Sequence, residues 1–466
     1  MSARPTRLVP TLPKQAWQLI AGMGVGCMGT GFAYSFLVIY LHYERGLSLG
    51  LAGLCLSVVA VGGLAAAPLV GVCADRFGPR TVLIIALLVS AAGCLGLAFV
   101  SRPWEALCVA LVFGIGSVSI DAPEMSLLAI VVRREQRSAA FAVSYAAFSA
   151  GLSAGAVIGG WFVDLEHPVT FQASFVIAAL PYVAYAVVVW RFVRPARCAE
   201  GDIDAPALGD SQTKDPQPVP TLATTPACPV AAASAPAPVE GHAATWLAGY
   251  APVLHDRAFL LLITFNFAIF AISFSQLNAA YPAYAVGAGH ISTRWVGLGL
   301  GANAIAIVAA QLIVLRLLTG RKRTRALGIA CLAAAACWFT VALAARAGGG
   351  LAIVGFVLAP AVLGLGETAL SPSLYPMAND LAPDALRGRY NAVMFMTESA
   401  GRIVGPLLAG FLLAAGAGDA LVVGLAVAMV CTVSLTLVME RSVPASANII
   451  GEVDQEAEMV ESAAAG

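Results

Sequence analysis

Charge is scarce in this chain of 466 residues: Asp, Glu, Lys and Arg make up 11% of it, against 59% hydrophobic residues. Soluble domains are about a quarter charged, and a core surrounded by water cannot absorb so large an apolar excess. The 26 basic and 26 acidic residues cancel, which removes any bulk attraction to nucleic acid. Histidine is scarce, and His42, His167, His242, His255 and His290 fall in loops or at the ends of apolar runs. The ten cysteines have no paired metal spacing; Cys27, Cys55, Cys94 and Cys431 sit inside apolar runs as small hydrophobes. No phosphate loop and no nucleophile with a base stands out. These absences argue against a metal centre, a cofactor and an enzyme.

What is present is long apolar runs. The first, residues 16–41, is too long for a signal-peptide core and is followed by no small-residue cleavage site, so it is expected to be retained. A helix needs about twenty residues to cross the bilayer core. Twelve segments qualify: 17–41, 51–71, 81–100, 104–132, 139–163, 170–193, 258–286, 296–318, 326–346, 350–379, 391–415 and 419–439. The fold class is therefore an all-α membrane protein.

Lys and Arg mark the cytoplasmic loops of such proteins. Of 26, only Arg45, Arg102, Arg294 and Arg346 fall in loops assigned to the outside, and Arg402 lies within a span. An even number of spans then puts both termini in the cytoplasm, and the cytoplasmic (inner) membrane is the expected location. The chain divides into a six-helix bundle at 1–195, a disordered cytoplasmic linker at 196–254 rich in Pro, Ala, Ser and Thr, a second bundle at 255–441, and an acidic cytoplasmic tail at 442–466.

The halves are related. One offset of 250 residues aligns Gly114 with Gly364, Gly116 with Gly366, Arg137 with Arg387, Gly151 with Gly401, Gly155 with Gly405 and Gly160 with Gly410. With 46 glycines in the chain a single match means little, but six at one register point to two parallel repeats. A transporter built this way holds its site at the repeat interface near the midplane.

Between the second and third spans runs Gly71-Val-Cys-Ala-Asp75-Arg76-Phe-Gly78-Pro79-Arg80. It resembles the loop signature of the major facilitator superfamily, and the second half adds Gly366-Glu367, Leu386-Arg387-Gly388-Arg389-Tyr390 and Gly405-Pro406, similar to drug-efflux members. The resemblance covers nearly the whole chain apart from linker and tail. It implies the major facilitator fold, with two pseudo-symmetric six-helix bundles. It also implies a conformational-gating role for Gly71, Asp75, Arg76, Gly78, Arg80, Arg387 and Arg389, where Gly71 lets helices approach closely and Asp75 pairs with arginine or a helix N-terminus. Three departures weaken the antiporter version. Ala156 stands where the glycine-rich motif of the fifth span has Pro, Ala110 and Leu111 stand where an arginine precedes Gly114, and the loop at 319–325 lacks its acidic member. Gly151, Gly155, Gly159 and Gly160 equally suit plain close packing of helices.

Ionisable groups within a span cost roughly 2.5–3.5 kcal/mol on insertion scales and mark pathways. Asp121 lies roughly 18 Å from the boundary at Arg133, counted at 1.5 Å per residue. Glu124 is three residues on and shares its helix face; Glu367 falls at similar depth through the repeat. Two carboxylates that close in hydrocarbon do not both ionise cheaply. Three readings stay open for them: carriage of a proton, direct binding of a cationic substrate, or satisfaction by neighbouring hydroxyls and amides. Pro123 between them frees a carbonyl, which favours a polar pocket. Glu398 and Arg402, four residues apart, suit a static ion pair, or an Arg402 that switches between Glu398, Glu367 and an anionic substrate. Tyr34, Gln276, Asn278, Tyr281 and Asn303 are candidate lining residues.

The expected mechanism is proton-coupled alternating access by a monomer in the lipid bilayer, exporting drug-like or amphipathic compounds. The alternatives are an importer of a small polar or anionic metabolite and a transporter-like sensor.

Overall fold

The computed structural model describes residues 12–132, 136–164, 167–193, 251–383 and 386–450. The first half comprises α1 (Lys14–Ile39), extended by a π-helical turn at Tyr40–Glu44, then α2 (Leu49–Phe77), α3 (Pro79–Ala98), α4 (Pro103–Val118), α5 (Asp121–Val131), α6 (Arg137–Phe162) and α7 (Pro168–Phe192). The second comprises α8 (Ala251–His255), α9 (Arg257–Ile269), α10 (Ala280–Gly287), α11 (Thr293–Leu318), α12 (Arg323–Ala347), α13 (Gly349–Leu370), α14 (Leu374–Leu381), α15 (Arg387–Ala414) and α16 (Gly418–Ser442). The pairs α4 with α5, α9 with α10 and α13 with α14 are single spans that break, so twelve helices cross, as expected. Eleven spans are long and apolar enough to cross a bilayer by composition alone. The twelfth is α15, whose Arg387, Arg389, Glu398 and Arg402 lower its hydropathy.

The breaks follow from proline. Pro123 has no N–H for the Ser119 carbonyl and tolerates only the first turn of a helix, so α4 stops at Val118 and α5 restarts at Asp121. Pro372 has the same effect between α13 and α14. In the seventh span the helix loosens into a π-helical turn at Phe270–Phe274 and a 3-10 turn at Ser275–Leu277.

Within the first half α1 packs on α6 and α7, α2 on α4, and α3 on α4 and α7. Each pairing recurs in the second half: α9 packs on α15 and α16, α11 on α13, and α12 on α13 and α16. Small residues make the closest of these contacts possible. A Cβ on Gly151 would stand 2.1 Å from the Gly24 carbonyl oxygen, and one on Gly155 2.1 Å from that of Met28. Gly151 and Gly155 of the fifth span are thus used for backbone packing against α1, whereas a Cβ on Gly160 would stand 2.6 Å from the Thr293 carbonyl oxygen of α11.

The two bundles meet at one end only among the described residues. Ser57 donates to the Ile403 carbonyl at 2.6 Å, where α2 crosses α15, and Thr293 donates to the Val163 carbonyl at 2.6 Å, where α6 meets α11. Toward the opposite end, which carries the start of α1 and the end of α16, Leu69, Val72 and Phe77 of α2 are exposed and Gly71 has nothing within 4 Å of where a Cβ would be, so the halves part there.

Most of the linker expected at 196–254 lies outside the described residues, but 251–254 already belong to α8. The acidic stretch 451–466 also lies outside them, whereas residues 443–450 pack on the loop between α11 and α12. Gly320 N–H donates to the Ile450 carbonyl at 2.8 Å and Arg323 N–H to the Asn448 carbonyl at 2.8 Å. That loop carries backbone groups no helix satisfies, and the segment after α16 supplies their partners.

Candidate transport cavity

A cavity of about 300 Å³ lies between the bundles, with walls from α1, α5, α6 and α7 on one side and α15 on the other. Asp121, Glu124, Glu398 and Arg402 all line it, as do Tyr34 and Asn278. The break before Asp121 turns both acids of α5 into this space.

The two acids occupy different surroundings. Glu124 is 4% exposed, and its carboxylate accepts a hydrogen bond from Tyr185 of α7. Tyr185 reaches it because its ring lies in a groove of α1: a Cβ on Gly22 would fall 2.1 Å from that ring, and one on Gly26 3.1 Å. Asp121 is exposed to the cavity and has no hydrogen-bond partner among the described residues. On the facing wall Arg402 bonds Glu398 at 3.1 Å through Nε and 3.0 Å through Nη2. Its guanidinium also lies 4.9 Å from the Phe270 ring centroid, and Tyr375 donates to the other oxygen of Glu398. The charge of Arg402 acts across the cleft on Asp121 and Tyr34, and within its own half on Glu367.

The profile of the Major Facilitator Superfamily matches residues 19–359 and, in a second match, 290–464. The chain belongs to the Major Facilitator Superfamily. It is a multi-pass membrane transporter and not an enzyme. An uncharacterized MFS-type transporter of Bacillus subtilis (strain 168), YttB, is 24% identical over 437 residues, 93% of this chain and 96% of that one. Multidrug resistance protein MdtH of Klebsiella pneumoniae subsp. pneumoniae is 28% identical over 123 residues, 26% of this chain and 31% of MdtH. Among solved structures, a peptide transporter POT in complex with sulfate superposes with a TM-score of 0.69 at 17% identity, covering 96% of this chain and 98% of that one. The nucleoside transporter NupG does so at 0.65 and 13%, covering 92% and 99%. At such identities these two show the fold alone.

Several residues expected in the cavity of this facilitator lie elsewhere, for one physical reason. Amide and phenol groups in a span bond backbone carbonyls where no water is at hand, some of them freed by irregular helix geometry. Gln276 is fully buried and gives its Nε2 to the carbonyls of Ala271 and Gly405, both at 2.9 Å, where the seventh span leaves regular α-geometry. Tyr281 donates at 2.8 Å to the Phe356 carbonyl, which Pro360 cannot serve. Asn303 is buried, donates at 2.9 Å to the Pro360 carbonyl and stands 3.5 Å from Glu367. Glu367 itself does not line the cavity; it sits behind, against Asn303, with Tyr145 of the other half within electrostatic reach.

The signature loop is placed at the parted end. Gly78 has φ +81° and makes the turn between α2 and α3. Arg80 donates to the Val189 carbonyl at 3.3 Å and to that of Trp190, so it caps the end of α7. Arg76 stacks 5.5 Å from the Phe77 ring centroid. Gly71 has nothing within 4 Å of where a Cβ would be, so the close approach expected there is not made with the halves parted. The Asp75 side chain lies outside the described residues. Arg387 and Arg389 are exposed in the first turn of α15. Sequence reasoning missed Tyr185, Tyr182, Phe148 and Phe395 of the cavity wall. The pair Gly22 and Gly26, one helical turn apart, was the available signal for a groove holding an aromatic ring.

Proposed function

We propose that the chain is a proton-coupled secondary active transporter that exports drug-like or amphipathic compounds across the cytoplasmic membrane. The observation that carries this reading is Glu124. It is a carboxylate buried at mid-span, the charge that acts on it is that of another acid, Asp121, and no cation lies against it among the described residues. Such a group is held more cheaply with a proton than without one, and it borders the cavity a substrate would use. The bias of Lys and Arg assigns the parted end, and both termini, to the cytoplasm. Rocking the bundles about their closed end would expose the cavity to either side, with protonation of Glu124 biasing the balance. The similarity to MdtH over 123 residues supports the export direction. One chain encloses the whole cavity, so a monomer in the bilayer suffices.

The test is dye accumulation in everted vesicles carrying an imposed inward-acidic gradient. Accumulation that collapses with the gradient, in wild type but not in Glu124→Gln, is expected. Flux that ignores the gradient would remove protons from the mechanism.

Arg402 favours a second reading: its side chain is 51% exposed at the cavity and offers an anion a partner. An importer of an anionic metabolite would run in the opposite direction in the same assay. Ligand binding without any flux would indicate a sensor.

A further inference from the structure

We infer that Asp121 is the counter-ion for the substrate, and that the compounds carried are monocations with a bulky apolar body. This rests on the transport reading and adds the substrate class to it.

The argument is one of charge and partners. Three carboxylates and one guanidinium line the cavity among the described residues. Glu398 is committed to Arg402 and to the Tyr375 hydroxyl. Glu124 borders the same space but is only 4% exposed and bonded to Tyr185, and it is the group to which the proton is assigned. Asp121 remains: exposed to the cavity, without a hydrogen bond, and influenced by the Arg402 charge only through space. One uncommitted negative charge calls for one positive charge. An anion, by contrast, would have to compete with Glu398 for an arginine already bonded through two nitrogens and stacked on Phe270.

The rest of the wall suits the body of such a cation. Tyr34 of α1, Phe148 of α6 and Phe395 of α15 line the same space, and aromatic faces attract organic cations as well as apolar groups. A cavity of about 300 Å³ stands at the small end of the range that holds drug-sized molecules. The two acids, three residues apart, thus divide the work: Glu124 takes the proton and Asp121 the substrate.

The test uses two probes of the same shape and opposite charge, tetraphenylphosphonium and tetraphenylborate. Their equilibrium binding is measured on the full chain in lipid nanodiscs without a gradient, with empty discs subtracted. Wild type is expected to favour the phosphonium by at least about tenfold, and Asp121→Asn to erase that preference by weakening the cation alone. Wild type favouring the borate would overturn the assignment whatever the variants do, including a variant that fails to fold. So would Asp121→Asn protein that binds phosphonium as wild type does. Because no gradient is used, loss of the preference in Asp121→Asn upholds this assignment even if vesicles show no coupled flux, an outcome that sinks only the transport reading. Coupled flux together with unchanged phosphonium binding in Asp121→Asn sinks only this one.

Discussion

The two bundles share an order of helix packing but place their charges on different helices. In the first half the acids are Asp121 and Glu124, on the fourth span, and the fifth presents Tyr145, Phe148 and Leu152. At the repeat offset of 250, the eleventh span has Phe395, Glu398 and Arg402 at those three places, and the tenth has Glu367 where the fourth has Ser117. At the cavity wall the second half balances its charge internally, because Glu398 holds Arg402 and Tyr375 while Glu367 sits behind against Asn303. The first half does not, because no cation lies against Glu124 or Asp121 among the described residues. Paired charges suit a fixed wall, while an unpaired acid responds to whatever cation or proton arrives.

That contrast is broken most decisively by matched amide substitutions. Glu124→Gln should lower gradient-driven flux in proteoliposomes by at least about tenfold. The same change at Glu367, which sits behind the wall against Asn303, should cost clearly less; equal losses would mean that the two halves share the proton. Stability should separate the halves in the reverse sense. Glu398→Gln strands Arg402, a loss of about 3–5 kcal/mol for a buried pair, reduced here to about 1–2 kcal/mol because Arg402 is 51% exposed and screened. Asp121→Asn removes an unpaired charge and should leave the melting temperature unchanged or raised. A double Glu398→Gln, Arg402→Gln variant that recovers the loss would confirm the pairing in a thermal-shift cycle.

Much of this was legible in the sequence, and what was not has a common cause. Hydropathy and arginine placement report the environment of whole helices, so the twelve spans and the repeat could be read directly. Asp121, Glu124, Glu398 and Arg402 stood out because charge in a span demands a reason. Gln276, Tyr281 and Asn303 misled because a polar side chain in a span looks the same whether it faces a cavity or a freed carbonyl. The decisive feature is a backbone break several residues or a whole helix away, such as Pro360 opposite Tyr281. Tyr185 was invisible for a related reason: its importance depends on a glycine groove in α1, a long-range contact without local pattern. The acidic member missing from the loop at 319–325 is supplied from elsewhere in the chain, by Asp380 against Arg323 at 2.5 Å and by Glu440 against Lys322 at 2.7 Å.

The groove and that second loop sharpen the comparison at smaller scale. Gly22→Ala would drive a methyl into the Tyr185 ring, an overpacking cost of about 1–3 kcal/mol, and would swing the hydroxyl away from Glu124. Its gradient-driven flux should fall toward that of Tyr185→Phe, which keeps the ring and loses only the hydrogen bond; wild-type flux in both would reduce Tyr185 to packing.

The smallest effect is expected at the parted end, where each half secures its loop by different means. Arg323 bonds Asp380 and, at 2.9 Å, the Ala447 carbonyl, so it ties the segment after α16 to the second half. Asp380 is partly exposed, which limits the pair to about 1 kcal/mol or less in stability. Arg323→Ala should therefore barely move the melting temperature, yet amide exchange at 443–450 should quicken because the segment loses a side-chain anchor. Arg80 plays the corresponding part in the first half by capping α7, with no chain terminus involved. Arg80→Ala should quicken exchange at the end of α7 and leave 443–450 untouched. Exchange that quickened in both places for either variant would mean that the two ends move as one body rather than as two independently fastened bundles.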